Sequence, residues 1–471
     1  MRTAVAAPAP DPGWLLARLD RVPLGGFHRR LLLVSGLGWM FDAMDILMLG
    51  SVVAAIGREW GLDATTGLWI TSINLLGMFV GASLAGSLAD RFGRRTIFQA
   101  TLLLYSLLTG LSALAWSAAS LMVLRFLTGL GLGGELPVAS TLVAEFAPAH
   151  RRGWLVVLLE SFWAWGSVLA ALVGFLVIPR FGWQVAFLIG ALPAFYVFVL
   201  RRTMPESVRY LVAKGRYREA EAIVEQVERS SKTSDGGGMT VDPGDSSPTR
   251  PAGSVAPSGR VGLGDLFAPA YLRRTIVLWA MWATMNFSYY GIFLWLPSQF
   301  VRKGLPIDQA LLFNLIIAIA QVPGYFAAAW LVERWGRRPT LVVFLLACAV
   351  GAWVFGQVTM PEQILPQAVP SILLWGSVIS FFNLGAWGVV YAYTPELYPT
   401  PLRGTGVGWA AAFGRVWGIL APLSIGLQLA LFGNQANVFL AFVAIMVVGA
   451  AVVLGLGEET RGRTLEQIAP A

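Results

Sequence analysis

The sequence predicts an all-α polytopic membrane protein in which twelve transmembrane helices form two pseudo-symmetric bundles of six. Its 471 residues are 56% hydrophobic and only 13% charged, whereas a soluble chain carries about 25% charged residues. Apolar runs of about 20 residues, long enough to cross a hydrocarbon core of about 30 Å, recur along the chain. One long polar stretch separates the sixth run from the seventh.

The apolar runs place six helices in each half of the chain. In the first bundle, residues 31–201, the predicted helices cover 31–56, 66–89, 96–116, 119–142, 153–178 and 183–201. In the second bundle, residues 273–457, they cover 273–301, 307–332, 339–357, 369–394, 404–430 and 435–457. The segment before them, 1–30, does not resemble a cleaved signal peptide, so we expect the first helix to remain as the insertion signal.

The connection between the bundles, residues 202–272, is predicted to be partly helical. Residues 209–230 have the charged, amphipathic pattern of a helix at the membrane surface. Residues 231–260 are rich in Gly, Ser, Pro and Asp, which is the composition of a disordered linker. The polar connection therefore divides the chain into its two halves.

The net charge of +8 is explained by membrane topology rather than by a nucleic-acid partner. Arginines gather in the loops after the second, fourth, eighth and tenth helices, and the alternate loops carry few. This asymmetry is the positive-inside pattern. It assigns the arginine-rich loops, residues 1–30 and the tail 458–471 to the cytoplasmic side of the membrane.

The arginine-rich loops also repeat between the two halves. "DRFGRR" (90–95) recurs as "ERWGRR" (333–338) at an offset of 243 residues, and "EFAPAHRRG" (145–153) matches "ELYPTPLRG" (396–404) at an offset of 251. Matched repeats of this kind are typical of secondary transporters, whose substrate site lies near the bilayer midplane between the halves. The loop residues predicted to act in conformational gating are Asp90, Arg91, Gly93, Arg94, Arg95, Glu145, Arg152, Glu333, Arg334, Gly336, Arg337, Arg338, Glu396 and Arg403.

These loops resemble the signature loop of the major facilitator superfamily. "RFLTGLGLGG" (125–134), "PESVR" (205–209) and "EETRGRTLEQI" (458–468) are similar to motifs of its sugar-porter branch. "GWMFDAMD" (38–45), "VLLESFWAWG" (157–166) and "SFFNLGAWGVVYAYTPELYPT" (380–400) resemble the bacterial niacin transporters of the NiaP type. Those transporters are related in turn to the synaptic-vesicle glycoproteins. The resemblance spans nearly all twelve helices.

Four charged residues fall inside the first and fourth apolar helices. Asp42 and Asp45 lie near the middle of the first helix, three residues apart and so on one face. Arg125 and Glu135 lie on the fourth helix. Intramembrane charges are costly and are functional by default, so these residues are candidates for proton coupling or an ionic switch. The resemblance to sugar porters implies that a helix-one Asp pairs with Arg125, but which acid does so is open, and a purely structural Asp–Arg pair is the alternative.

The second candidate site is aromatic with one cation. Asn383, Trp387 and Tyr391 share a face of the tenth helix at spacings of four residues, and Arg415 is the one charge on the eleventh. The remaining candidates for substrate binding are Glu160, Trp163, Tyr289 and Tyr290. Aromatic walls with a guanidinium suit a small planar aromatic acid, although any single ring is equally explained by packing.

The resemblance implies the substrate and the remaining properties of the protein. It predicts import of nicotinate, with nicotinamide as a second candidate, by alternating access and with proton coupling. In the synaptic-vesicle proteins, the positions that match Trp163, Tyr290, Trp387 and Arg415 line the central ligand site. A transporter of another aromatic or organic acid or of a sugar, and a receptor that does not transport, are the alternatives. We expect a monomer in the lipid bilayer with no enzymatic activity and no cofactor, metal or nucleic acid.

Overall fold

The computed structural model describes residues 12–147, 152–232, 263–359, 364, 366–432 and 435–461. Most of these residues are helical, and seventeen α-helices occur in the described ranges. The predicted linker 231–260 lies outside these ranges except for residues 231 and 232, which end a helix. The tail beyond residue 461 also lies outside them. Nine helices or helix pairs in the described ranges are long and apolar enough to cross a membrane.

In the first bundle, several of the observed helices extend beyond the ends of the predicted spans. Its helices are α2 (Gly26–Glu59), α3 (Ala64–Phe92), α4 (Arg94–Ser112), α5 (Ala118–Phe146), α6 (Arg152–Phe181), α7 (Trp183–Gly190) and α8 (Pro193–Thr203). A short helix that the sequence analysis did not predict, α1 (Pro12–Arg21), precedes them. The membrane spans begin with ordinary capping chemistry, since Asp63 accepts hydrogen bonds from the first amides of α3 and Ser117 caps α5.

The second bundle repeats this arrangement. Its helices are α11 (Leu272–Arg302), α12 (Ile307–Ile319), α13 (Gln321–Trp335), α14 (Arg337–Val358), α15 (Val369–Tyr393), α16 (Thr400–Phe432) and α17 (Gln435–Leu456). Between the bundles, the predicted surface helix 209–230 is two helices, α9 (Val208–Ala213) and α10 (Tyr217–Lys232). Gly215 separates them with φ of +72°, a conformation that favours glycine.

Two predicted spans are each broken into two helices. The sixth span is interrupted at residues 191–192, between α7 and α8, and the eighth at Ala320, between α12 and α13. The physical reason is a proline just past each break, Pro193 and Pro323. Proline has no amide N–H to donate to the carbonyl four residues earlier, and its ring crowds that carbonyl. The spans predicted over 183–201 and 307–332 are therefore present, each with a short break in its helix that the apolar pattern did not predict.

The loops after α3, α5, α13 and α15 emerge on one side of the molecule, called here the basic face. Helices α1, α9 and α10 lie at this face, where Arg18 donates two hydrogen bonds to Glu228 at 2.9 and 2.7 Å. These bonds raise the pKa of Arg18 above its usual value. Tyr210 of α9 donates to the carbonyl of Arg91 at 3.2 Å. The surface helices are thus attached to the first bundle.

The two bundles contact each other through α2 with α11, α3 with α16, and α6 with α12. A Cβ added to Gly50 would lie 2.7 Å from the carbonyl oxygen of Leu294, so α2 and α11 touch through their backbones. Ser72 donates to the carbonyl of Ile419 at 3.2 Å. Gly50 and Leu294 lie in the last third of their helices and Ser72 in the first third of α3. These contacts therefore lie toward the opposite face.

Candidate functional site

A hydrogen-bond network joins the two bundles near the middle of their helices. Trp163 of α6 donates through Nε1 to the Tyr289 hydroxyl of α11 at 2.7 Å. The Tyr289 hydroxyl donates to Gln321 Oε1 at 3.3 Å, and Ser167 donates to the same oxygen at 2.7 Å. Gln321 is the first residue of α13, directly after the break in the eighth span. The network therefore places the broken span at the centre of the molecule.

An aromatic cluster extends from this network into the second bundle. Trp387 and Tyr391 of α15 stack with ring centroids 5.4 Å apart and planes 27° apart. Trp282 of α11 meets both rings edge-on, at 5.4 and 5.5 Å. The Tyr289 ring lies 6.5 Å from Trp387, nearly perpendicular to it. These walls present both faces and edges of aromatic rings, which is the surface that a planar aromatic ligand requires.

Arg415 of α16 brings a cation to this cluster. Its guanidinium lies near the hydroxyls of Tyr290 and Tyr391. All three side chains are half-buried and so keep some accessible surface. Among the described residues, no carboxylate lies within ion-pair distance of Arg415. The cation is thus available to an anion that enters the aromatic cluster.

Glu160 of α6 is the acid at the same site. Its side chain is only 3% exposed and lies beside Trp39 of α2 and Tyr391 of α15. Trp39 packs against Trp163 with ring centroids 4.8 Å apart. Glu160 and Trp163 therefore both lie beside Trp39, on one face of α6.

Asn383 occupies a different environment from the other predicted site residues. Its Nδ2 donates to Ser288 at 2.9 Å and lies 3.8 Å from the Cys348 sulfur. The side chain is 2% exposed, and Oδ1 has no hydrogen-bond partner in the described structure. These contacts join α15 to α11 and α14 within the second bundle. A ligand would have to displace this packing to reach the amide.

The ion pair inside the first bundle is formed by Asp45 and Arg125. Arg125 Nη1 lies 3.3 Å from Asp45 Oδ2, and Thr109 donates to the other carboxylate oxygen at 2.6 Å. Arg125 Nη2 also donates to Ser112 at 2.7 Å and to Thr128 at 3.0 Å. The guanidinium is fully buried. A buried ion pair of this kind needs such extra hydrogen bonds to offset its desolvation.

Asp42 and Glu135 do not join this ion pair. Both are fully buried and lie next to each other, with Tyr105 of α4 beside Asp42. The open question of which helix-one acid faces Arg125 is thereby answered: Asp45 pairs with the arginine and Asp42 faces the second acid.

Three of the residues predicted to act in gating, Arg94, Arg95 and Glu145, belong to a compact network at the basic face. Arg94 lies 3.6 Å from Glu145 at the end of α5. Glu206 accepts hydrogen bonds from the amides of Arg94 and Arg95 at 2.9 and 3.2 Å, so it caps α4. Ser207 donates to Glu145. The segment that follows the sixth span thus binds the start of the third span and the end of the fourth span.

The same network recurs in the second half. Arg337 lies 3.0 Å from Glu396, and Glu459 accepts from the amides of Arg337 and Arg338 at 3.0 and 3.1 Å. Thr460 donates to Glu396 at 2.5 Å. The repeat predicted from the loop sequences therefore extends to the chain after the last helix of each bundle.

Gly93 and Gly336 serve this network in two ways. Their φ angles are +100° and +102°, in the region where a side chain is strained. A Cβ at either position would also collide with the carboxylate that caps the next helix, Glu206 or Glu459 respectively. Glycine is therefore required both for the turn and for the cap.

The other predicted gating residues have varied environments. Arg95 and Arg338 donate to the carbonyls of Arg201 and Leu454. Arg91 is exposed above the Phe92 ring and Arg334 above the Trp330 ring, and Glu333 lies 3.7 Å from Arg337. The side chains of Asp90, Arg152 and Arg403 lie outside the described residues.

Several site residues were not predicted from the sequence. The candidate site includes Trp39, Trp282, Ser167, Gln321 and Tyr325. The networks at the basic face include Glu206, Ser207, Glu459 and Thr460. The motifs "PESVR" and "EETRG" were a usable signal for the network. Both place an acid and a hydroxyl residue side by side after the last helix of a bundle.

Two repeated six-span bundles that share an aromatic site at mid-depth define a multi-pass membrane transporter. Residues 45–471 match the profile of the family described as Sugar (and other) transporter. The chain belongs to this family, which is part of the major facilitator superfamily.

Several known proteins are similar to this chain over nearly its whole length. The niacin transporter NiaP of Acinetobacter baylyi is 46% identical over 96% of this chain and 99% of the relative. The putative niacin/nicotinamide transporter NiaP of Bacillus subtilis is 43% identical over 93% of this chain and 98% of the relative. A crystal structure of a D-xylose–proton symporter matches with a TM-score of 0.72 at 20% identity, over 93% of this chain and all of the other. That structure supports the fold alone.

Proposed function

We propose that the protein imports nicotinate across the inner membrane of a bacterium. The observation that carries the proposal is Arg415, a cation with no described carboxylate partner in an aromatic site. A guanidinium binds a carboxylate through two parallel hydrogen bonds. The pyridine ring of nicotinate, placed between Trp387, Tyr391 and Tyr290, would contact aromatic faces. Relatives named as niacin transporters at 43% and 46% identity support this substrate.

Glu160 fits the other end of the same substrate. A pyridine nitrogen accepts a hydrogen bond, and a protonated carboxyl group in a dry site can donate one. Glu160 lies on the wall of the site, beside Trp39 and Tyr391, so it is the group that would distinguish a pyridine ring from a benzene ring. Nicotinamide would use this contact as well but would lose the ionic contact with Arg415.

Transport would follow alternating access, with the basic face in the cytoplasm. Two close contacts between the bundles, Gly50 with Leu294 and Ser72 with Ile419, lie toward the opposite face, and the Trp163–Tyr289 hydrogen bond joins the bundles at mid-depth. This distribution supports an inward-facing state that is closed toward the periplasm. The buried carboxyl groups of the first bundle support coupling to protons, because a buried acid changes its proton affinity when its surroundings change.

The deciding experiment is uptake of radiolabelled nicotinate into liposomes that contain the purified protein. We expect uptake that rises when the outside is acidified, competition by excess unlabelled nicotinate, and weak competition by benzoate and xylose. Equal competition by benzoate would assign the protein to aromatic acids in general, and competition by xylose alone would make it a sugar transporter. Tight nicotinate binding without uptake would make it a receptor and would refute the proposal.

A further inference from the structure

Asp42 and Glu135 form a buried pair of carboxyl groups that the Asp45–Arg125 ion pair does not need. Asp42 lies on α2 and Glu135 on α5, and both are 0% exposed. None of their four carboxyl oxygens has a hydrogen-bond partner in the described structure. The hydroxyl of Tyr105 lies beside Asp42 but makes no hydrogen bond of good geometry in the described structure. Buried polar groups are normally satisfied, so this cluster of unmet acceptors needs an explanation.

The packing between α2 and α5 holds the two acids together. Gly38 lies one helical turn before Asp42, on the same face of α2. A Cβ added to Gly38 would lie 2.8 Å from Glu135 Oε1 and 2.9 Å from the Phe98 ring. The carboxyl group of Glu135 therefore rests against the backbone of α2 in space that glycine leaves free.

No described cation faces the pair. The ionisable groups around the two acids are Asp45 on α2, Tyr105 on α4 and Tyr196 on α8. Arg125, on the same helix as Glu135, makes its ion pair with Asp45. The surroundings therefore supply no positive charge that could balance two carboxylates.

Two adjacent carboxylates in a dry interior repel each other strongly when both are ionised. A single proton removes the repulsion and also supplies the missing donor, since a protonated carboxyl group donates to its ionised neighbour. We propose that Asp42 and Glu135 bind one proton between them as a single site, separate from the Asp45–Arg125 pair, and that this is the proton carried with the substrate. This inference rests on the proposed proton-coupled function.

Infrared spectroscopy of the full-length purified protein tests the proton directly. At neutral pH, the difference spectrum between wild type and the D42N/E135Q variant should contain the carbonyl band of a protonated carboxyl group. The difference between wild type and D45N should contain ionised carboxylate bands instead. A D42N/E135Q difference that contains only ionised carboxylate bands would overturn the proposal.

A second variant avoids the risk that the double variant does not fold. G38A keeps both acids but pushes Glu135 away from α2, because the new methyl group would occupy the position that Oε1 approaches. We expect the protonated carboxyl band to shift in G38A. A band at the wild-type position with wild-type intensity would contradict the proposed site.

Transport measurements test whether this proton is the coupled one. For D42N and for E135Q, the ratio of gradient-driven nicotinate accumulation to nicotinate exchange should fall to the level without a gradient, because exchange needs no proton cycle. The matched control is E59Q, an acid-to-amide change on the same helix whose side chain accepts from Trp183 at the opposite face; its ratio should stay at the wild-type value. A normal ratio in E135Q would refute the coupling role. If the wild-type protein moves no nicotinate at all, the proposed function fails, and the infrared result still decides whether the pair holds a proton.

Discussion

In the proposed function, Arg415 and its surroundings set the selectivity of the central site for its ligand. The guanidinium has tyrosine hydroxyls nearby and no described carboxylate partner, so an anionic ligand would supply its counter-charge. A neutral ligand leaves that charge uncompensated. The difference between a carboxylate and an amide on the same ring should therefore appear in affinity at this one residue.

Replacing Arg415 with alanine should weaken nicotinate binding by at least about 2–3 kcal/mol, the range lost with a charge-assisted hydrogen bond. Nicotinamide binding should fall much less, because its amide makes no ionic contact. Titration calorimetry with both ligands on purified protein measures the difference. Arg415→Lys is the control, since it keeps the charge but loses the two-point geometry. Equal losses for the two ligands would show that Arg415 does not contact the carboxylate.

Asp45 and Asp42 should differ in their effect on stability. Asp45→Asn leaves Arg125 buried without its anion, and breaking a buried pair in this way costs about 3–5 kcal/mol. Asp42→Asn on the same helix removes an acid that has no described cation partner, so this variant should lose little stability. Thermal unfolding of the two variants in detergent compares them. A less stable Asp42→Asn protein would contradict the pairing seen here.

The identity of these acids was predictable from the sequence, but their pairing was not. Any charge inside an apolar run stands out, and both aspartates do. Residues three apart differ by about 60° around a helix axis. Which one meets Arg125 depends on the rotation of α2 against α5, and this rotation is set by glycine contacts such as Gly38 that the apolar pattern does not report.

At the scale of helices, the ends at the basic face are held by acids from distant parts of the sequence. Glu206 caps α4 and Glu459 caps α14, each accepting from two backbone amides. A helix N-terminus favours a carboxylate through both its free N–H groups and its dipole. The two caps are related by the internal repeat, so they offer a comparison within one molecule.

Glu206→Ala and Glu459→Ala should each destabilise the protein by about 1–2 kcal/mol, as the loss of a helix cap does. Faster amide hydrogen exchange should be confined to the first turn of α4 in one variant and of α14 in the other. Glu219→Ala, which breaks an exposed pair with Arg216, is the control and should leave both turns unchanged. Exchange that rises throughout a bundle in either variant would mean that the acid does more than cap one helix.

The helices themselves were largely predictable, and their interruptions were not. A window of apolar residues identifies a membrane span by composition, and Pro193 and Pro323 do not change that composition. Proline is tolerated within membrane helices when neighbours satisfy the freed carbonyls. Whether a proline bends or breaks a span therefore depends on packing. The break in the eighth span lies beside Gln321, which belongs to the central hydrogen-bond network.

At the scale of the whole molecule, the contact between α2 and α11 limits how the bundles can move. Gly50 lets the two backbones touch, and a larger residue would push α11 away at the opposite face. Gly57, two turns further along α2, borders a cavity of about 610 Å³ and has nothing within 4 Å of an added Cβ. The two glycines thus lie on the same helix, but only Gly50 touches α11.

Gly50→Val should open the opposite face, whereas Gly57→Val should not. A cysteine placed at Ser298, which lines the cavity, reports the opening in a background where Cys348 is serine. We expect faster alkylation of this cysteine in the Gly50 variant and the unmodified rate in the Gly57 variant. Identical rates in both would mean that the α2–α11 contact does not hold the bundles together.

The second cap has a practical consequence for anyone who expresses or labels this protein. Glu459 and Thr460 lie three and four residues after Leu456, the end of α17, so a fusion junction placed close to that helix would remove them. A fusion joined directly after Gly457 would remove both side chains and leave Arg337, Arg338 and Glu396 without these partners. A loss of function in such a fusion would then arise from the junction, and moving the junction beyond Arg461 should restore it.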